Sequence, residues 1–230
     1  MSGSEPIHLR PTAELAERVL LPGDPGRALT LAQAILEEPL MFNHHRGLWG
    51  YTGRAPDGEP LTIQSTGMGG PSAAIVLSEL IALGARRAIR VGSCGALAPG
   101  IELGEIVIAR EAICADGTSR ALGADGRVSA DGELTDALIR HAPGAHAGTI
   151  VSVDLFYDEG RRAPAEDAVA IEMEAATLFA LGAGRGVAVA CMLVVSDTFA
   201  AGGARRRMED EDMLEAAERM GRAAAAALSR

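Results

Sequence analysis

The chain contains no lysine; apart from five histidines, every basic side chain is arginine. That absence excludes a phosphate loop built on a lysine, a Schiff-base lysine and a Ser-x-x-Lys nucleophile pair. Aromatic residues make up only 3% of the chain, and the three cysteines, Cys94, Cys114 and Cys191, are widely spaced in apolar segments. An odd, scattered set of this kind argues against a disulfide framework or a zinc site, and the cysteines are expected to be small core residues. No apolar run approaches the roughly 18 residues of a membrane span, and the opening "MSGSEPIHLR" lacks the apolar core of a secretion signal. A soluble, cytoplasmic protein with no membrane partner is the expectation. The net charge of −10 also disfavours nucleic acid as a partner. An anionic small molecule stays compatible with it, provided arginines are gathered locally.

Apolar residues make up 48% of 230 residues, enough for a large core. Near-continuous runs rich in Val and Ile predict strands covered on both faces at 61–66, 88–95, 105–114, 148–154 and 187–197. Helices are expected at 71–84, 131–141, about 172–184 and about 209–228, the last opening on acids that suit its dipole. Polar stretches 115–130 and 158–168 read as loops, and neither looks like an interdomain linker. The expectation is one α/β domain over residues 1–230.

Four clusters could carry chemistry. "LLPGDPGRA" (20–28) runs a short strand into Gly23 and Arg27, which suits an anion but is also ordinary turn chemistry. "STGMGGPS" (65–72) lacks the third glycine of a dinucleotide fingerprint, and no acid follows at the required spacing. What remains is a glycine-lined helix start suited to a phosphate or a sugar. In "IRVGSCGAL" (89–97), Arg90 stands in an apolar strand, so either a carboxylate satisfies it or it binds an anion beside Ser93. In "AIEMEAATLF" (170–179), Glu172 and Glu174 flank Met173; they can accept from vicinal hydroxyls of a sugar or form a solvated helix start.

A fifth feature is the end of "VAVACMLVVSDTF" (187–199), where a buried strand delivers Ser196 and Asp197. In open α/β sheets, ligands sit beyond the carboxyl ends of strands, so Asp197 could face a substrate. Equally, Ser and Asp are favoured helix caps.

Each cluster is ambiguous alone, but "PGDPGR", "STGMGGPSAAI", "RVGSCGAL", "VDLFY", "IEMEAATLF" and "VVSD" occur together and in this order. The set resembles the nucleoside phosphorylase-I family, which contains hexameric bacterial purine nucleoside phosphorylases and uridine phosphorylases. The resemblance runs from about His8 to Asp197. It implies a three-layer α/β fold around a mixed, partly barrel-like sheet, assembled as a trimer of dimers. It also implies phosphorolysis of a nucleoside to free base and ribose 1-phosphate without a cofactor, inorganic phosphate being the co-substrate. By resemblance, Gly23, Arg27, Arg90 and Ser93 match phosphate-binding positions, and Arg46 matches an arginine lent by a neighbouring subunit. His8 matches a histidine reaching the 5′-hydroxyl across the same interface. Met68, Met173 and Glu174 match ribose contacts, with Glu172 beside them, and Phe156 matches an aromatic wall of the base pocket. Asp197, with Ser196 beside it, matches the acid that protonates or hydrogen-bonds the purine N7.

An aspartic acid with an ordinary pKa of about 3.9 is ionised at neutral pH. Asp197 is therefore expected either to be raised by desolvation or to gain its proton as substrate binds. Arg205, Arg206 and Arg207 are candidates to assist it. Uridine phosphorylases carry a Gln and Arg before the Glu-Met-Glu helix; the corresponding "DEGRRAPAEDAVA" has no Gln, which favours purines over uridine. A methylthioadenosine-type phosphorylase or nucleosidase is a further alternative, and Arg27, Arg46 and Arg90 favour phosphate over water as the nucleophile. A non-catalytic nucleoside-binding protein or a structural domain would leave the acid and the arginines together unexplained.

Overall fold

The computed structural model describes residues 6–157, 167–199 and 205–229. In chain order the elements are β1 (Arg18–Leu21), α1 (Pro25–Ile35), β2 (Glu37–Asn43), β3 (Gly50–Arg54), β4 (Pro60–Gln64), α2 (Gly70–Leu83), β5 (Arg87–Ala96) and β6 (Ile106–Cys114). They continue with α3 (Gly117–Ala121), β7 (Arg127–Ser129), α4 (Gly132–His141), β8 (His146–Ser152), β9 (Ala170–Glu172), α5 (Ala175–Arg185), β10 (Ala188–Phe199), β11 (Arg205–Arg207) and α6 (Asp210–Leu228).

All the strands belong to one mixed sheet, ordered β11-β10-β6-β8-β9-β5-β1-β4-β3-β2, with β7 on β6. An additional pairing of β10 with β5 closes β5, β10, β6, β8 and β9 into a five-membered ring. The remaining strands extend from it as an open wing. The partly barrel-like sheet expected from the sequence is therefore present.

Strand periodicity explains the layers. Along β10, Cys191, Leu193 and Val195 join a core shared with α2 and α5, including Val76, Leu77, Leu178 and Phe179. The alternate residues Ala190, Met192 and Val194 join a second core with α1, α4 and α6. Both sets are fully buried, as expected of a strand covered on both sides. Cys94, Cys114 and Cys191 are free and buried, in line with their reading as core residues. No helix among the described residues is long and apolar enough to cross a membrane.

Two sequence expectations need correction. Residues 115–130, expected as loop, contain α3 and β7. The five-residue α3 has no periodicity to read; Asp116 caps it through the Ser119 N–H (2.7 Å) and accepts from Thr177 Oγ1 of α5 (2.9 Å). The turn chemistry of "PGDPGR" is in fact a helix start, with Asp24 accepting the N–H of Arg27 (2.7 Å) and Pro25 in the first turn of α1. The loop expected at 158–168 falls mostly outside the described residues.

The far end of α6 is held by charge. Arg87 Nη1 donates to the Leu228 carbonyl (2.7 Å), which suits a cation at a helix C-terminus. Arg18 meets Asp57 through two nitrogens (2.6 and 3.1 Å), and Ser229 Oγ donates to the same carboxylate (2.7 Å). The Arg18 hydrogen bond holds the Asp57 carboxyl below the ordinary range, against the opposing effect of burial and with help from Ser229. A depressed native pKa stabilises the fold above the unfolded pKa, and the benefit is lost as pH falls through the native value. Asp57→Asn is therefore expected to destabilise the protein by about 1 kcal/mol at pH 7. In thermal unfolding, the gap from the parent protein narrows as pH drops below about 4.

Candidate active site

The site arises where the sheet divides. β5 is paired with β10 along one edge from Arg87 to Gly95. On the other edge, its ladder with β1 ends at Leu21↔Arg90 and its ladder with β9 begins at Gly95↔Ile171. Between these, Val91 to Cys94 have neither neighbour, and the gap this leaves in the ladder beyond the end of β1 is the candidate cleft. The chain entering α1 adjoins the loop before α2: a Cβ on Gly23 would lie 3.4 Å from the Gly67 carbonyl oxygen and 4.0 Å from Arg90 Nη1. That second loop turns through Gly67 and Gly69, with φ of 73° and 84° that glycine adopts without strain. The Gly69 N–H donates to Glu174 Oε1 (2.5 Å), which brings the start of α5 to the same place.

Arg90 lies at the centre and is 3% exposed. Its Nε donates to Glu172 Oε2 at 3.0 Å, and its Nη2 pairs with Glu174 Oε2 at 2.5 Å. Nη1 is buried with no hydrogen-bond partner among the described residues. Burial alone would lower the pKa of Arg90, but Glu174 and Glu172 outweigh it and hold the guanidinium charged. Gly92 makes room for this arrangement, since a Cβ there would sit 2.7 Å from Arg90 Cζ. Of the two alternatives left open by the sequence, the carboxylate pairing is present, and it leaves one nitrogen over.

Glu172 is committed to the protein. Besides Arg90, its oxygens accept from Ser152 Oγ and from the N–H groups of Glu174 (2.8 Å) and Ala175 (2.9 and 3.0 Å). Burial, with repulsion from Glu174, pushes its pKa up despite Arg90. In this geometry the Glu172 carboxylate positions Arg90 and the first turn of α5. Glu174 shares the cleft with Met173, which is half-buried.

Further positive charge converges here. Burial lowers the pKa of Arg27; Asp24 opposes this, while the charges of Arg90 and Arg207 lower it further. Ser93, opposite Val194 of β10, is half-buried on the divided stretch of β5.

Asp197 sits inside β10, thirteen residues before α6 begins at Asp210, so it is not a helix cap. A register irregularity between Val195 and Asp197 re-aims this part of the strand, as bulges do beside functional sites. Asp197 is 4% exposed, with Ser196 Oγ 2.7 Å from its Oδ2 and 3.2 Å from the Cys94 carbonyl oxygen. β11 folds back against it, pairing Arg207 with Asp197 and Arg205 with Phe199. Arg205 Nε donates to Asp197 Oδ1 at 2.7 Å, and Arg207 Nη1 reaches the same oxygen at 3.5 Å. The Arg205 guanidinium also stands 4.3 Å over the Phe156 ring. Burial would raise the pKa of Asp197, but Arg205, Ser196 and Arg207 together hold it below the usual value. Of the two expectations for this acid, a pKa raised by desolvation or a proton gained as substrate binds, this state matches the second, with Asp197 held as a carboxylate.

Met68 is 86% exposed and Phe156 is half-exposed. His8 and Arg46 lie apart from this cluster. His8 Nδ1 is 2.7 Å from Glu79 Oε1, and Arg46 sits exposed on a tight turn with a left-handed φ of 60°. Sequence reasoning missed the residues that hold them. Asn43, fully buried, accepts from the N–H groups of Arg10 (2.9 Å) and His45 (3.3 Å) and donates to the Leu48 carbonyl (2.5 Å). Glu79 did leave a signal, as the lone acid in the apolar run "AAIVLSELIAL" (73–83). Ser152 left none. Among the described residues no cluster has the makings of a metal site.

Because Arg205 is the first opponent of burial at Asp197, Arg205→Gln should raise the Asp197 pKa, as read by carbon-13 titration of the carboxyl. Arg206→Gln, on the neighbouring position, should leave it unchanged.

The sequence model of the Phosphorylase superfamily matches residues 17–230. Curated relatives carry the name DeoD-type purine nucleoside phosphorylase. The one from Oceanobacillus iheyensis is 35% identical over 220 residues, covering 89% of this chain and 93% of its own. That from Geobacillus kaustophilus is 34% identical over 220 residues (90% and 93%), and that from Clostridium novyi 38% identical over 200 residues (82% and 85%). With its ring-and-wing sheet and its arginine-lined cleft at the division of β5, the chain belongs to the Phosphorylase superfamily.

Proposed function

We propose that the protein is a purine nucleoside phosphorylase, converting a purine nucleoside and inorganic phosphate to free base and ribose 1-phosphate. The observation that carries this reading is the buried, unpartnered Nη1 of Arg90 beside Gly23, with Arg27 and Arg207 near it. A cleft that crowds cations and leaves a buried donor without an acceptor is suited to a phosphate dianion. The relatives' printed name supports the purine assignment. The reaction needs no cofactor, since phosphate is itself the nucleophile.

Phosphate held by Arg90, Arg27, Gly23 and Ser93 attacks the anomeric carbon. Glu174, with Met68 and Met173, faces the ribose. The bond to the base breaks with its electron pair on the purine, which takes a proton at N7 from Asp197. An ionised Asp197 has to gain that proton first. A purine stacking on Phe156 would take the place now held by the Arg205 guanidinium, ending the contact that most opposes protonation. Burial would then dominate and raise the pKa, with the proton drawn from solvent as the nucleoside enters.

The exposed apolar residues Ile7, Leu40, Met41, Trp49 and Ile75 are suited to burial against a second copy of the chain. His8 and Arg46 then complete a neighbour's site, as in the expected trimer of dimers. Neither makes a hydrogen bond or ion pair with Arg90, Glu174 or Asp197 of its own chain.

Inosine and adenosine, assayed with and without phosphate, should release base only with phosphate present; equal release without it would overturn the reading. Asp197→Asn should lower kcat by roughly 100-fold or more while phosphate binding is retained.

A further inference from the structure

Glu79 lies on α2, outside the cleft, yet its carboxylate collects an unusual set of donors. The N–H groups of Ile7 (3.1 Å), His8 (3.0 Å) and Leu9 (2.7 Å) all point to it, and the His8 ring meets it through Nδ1 at 2.7 Å. The side chain is 14% exposed, and these contacts fill both oxygens. Burial by itself would raise the Glu79 pKa; the Leu9 and His8 hydrogen bonds outweigh it and keep the group ionised.

An ionised carboxylate only accepts hydrogen bonds, so the ring nitrogen facing it must carry the hydrogen. His8 is thereby fixed with Nδ1–H inward, and in the neutral ring the Nε2 lone pair is left as an acceptor on a side chain that is 30% exposed. The backbone on either side of the ring is held as well. The His8 carbonyl oxygen accepts from His45 Nδ1 (2.9 Å), and the Arg10 N–H donates to Asn43 (2.9 Å). Arg46 follows His45 directly, so the histidine and the arginine offered to the neighbouring subunit form one braced unit.

We infer that Glu79 is a positioning residue for the nucleoside 5′-hydroxyl, acting through His8 by fixing its tautomer and the direction of Nε2. The inference rests on the phosphorylase reading and deepens it. A free 5′-hydroxyl donates to the Nε2 acceptor, whereas a 5′-deoxy nucleoside gains nothing from it. Glu79 is therefore a source of 5′ specificity located well along α2, away from the helix start that adjoins the cleft.

The test compares inosine with 5′-deoxyinosine in the full-length protein, its Glu79→Gln, Glu79→Ala and His8→Ala variants, and the Glu79→Gln/His8→Ala double variant. Glutamine keeps one acceptor for the backbone but no longer compels Nδ1–H. Glu79→Gln should raise KM for inosine about tenfold with kcat little changed, the cost of one charge-assisted hydrogen bond. KM for 5′-deoxyinosine should change less than twofold. In the double variant, inosine should be cleaved no worse than in His8→Ala, because the two residues act in series. Equal losses on both substrates, or full additivity, would reduce Glu79 to a fold-supporting residue and overturn the inference. Nitrogen-15 shifts of the His8 ring give a readout independent of turnover. Nδ1–H is expected in the parent protein and a mixture of tautomers in Glu79→Gln, with Glu79→Ala as the control if glutamine substitutes too well. Nε2–H in the parent would overturn the inference while leaving the phosphorylase reading intact. Cleavage of neither substrate with phosphate present would overturn both.

Discussion

The ion cluster of Arg90, Glu172 and Glu174 is the constraint from which the rest of the cleft follows. A guanidinium at this depth is tolerable only when desolvation is offset by well-placed carboxylates. Here one carboxylate comes from the end of β9 and the other from the cap residue just before α5. Satisfying Arg90 therefore ties β5 to β9 and α5, and Glu174 carries the tie onward to the loop before α2. The same geometry requires β5 to release β1 at Arg90 and pick up β9 only at Gly95. The opening in the sheet and the buried cation are two aspects of one arrangement. Removing either glutamate would strand a buried charge, a far larger disturbance than losing a surface ion pair.

That cluster is also incomplete, with Nη1 of Arg90 lacking an acceptor. On the opposite side of the cleft the balance is reversed: Asp197 has more donors than an acid awaiting a proton should have. On the proposed reading, the cleft offers an unpartnered donor where phosphate would sit and a stabilised carboxylate where a base would depart. On the same reading, phosphate would supply the missing negative charge and the base would displace Arg205.

Much of the fold was legible because its central strands are buried on both faces, and such runs announce themselves in Val, Ile and Leu. The five long strands and four long helices read from the sequence lie within a few residues of the observed elements. The β2–β3 hairpin, β7, β9 and α3 were not legible, since they are short and depend on partners distant in sequence. The closure of the ring is likewise a matter of register between β5 and β10, on which periodicity is silent. At the site, the motifs located Gly23, Arg27, Arg90, Glu174 and Asp197, but they could not say which acids Arg90 would take. Glu172 looked like a ligand contact because it neighbours Glu174; only the positions of Ser152 and the α5 N–H groups show its carboxylate to be occupied. The state of Asp197 depended on Arg205, whose approach follows from β11 pairing with β10.

The central claim is that Arg90 reserves a buried donor for phosphate. Calorimetric titration of inorganic phosphate into the free protein and its Arg90→Met variant tests it directly, with no nucleoside and no turnover involved. The account predicts that the parent binds phosphate and that the variant, folded by circular dichroism, loses at least tenfold in affinity. Equal affinity in the two proteins would contradict it.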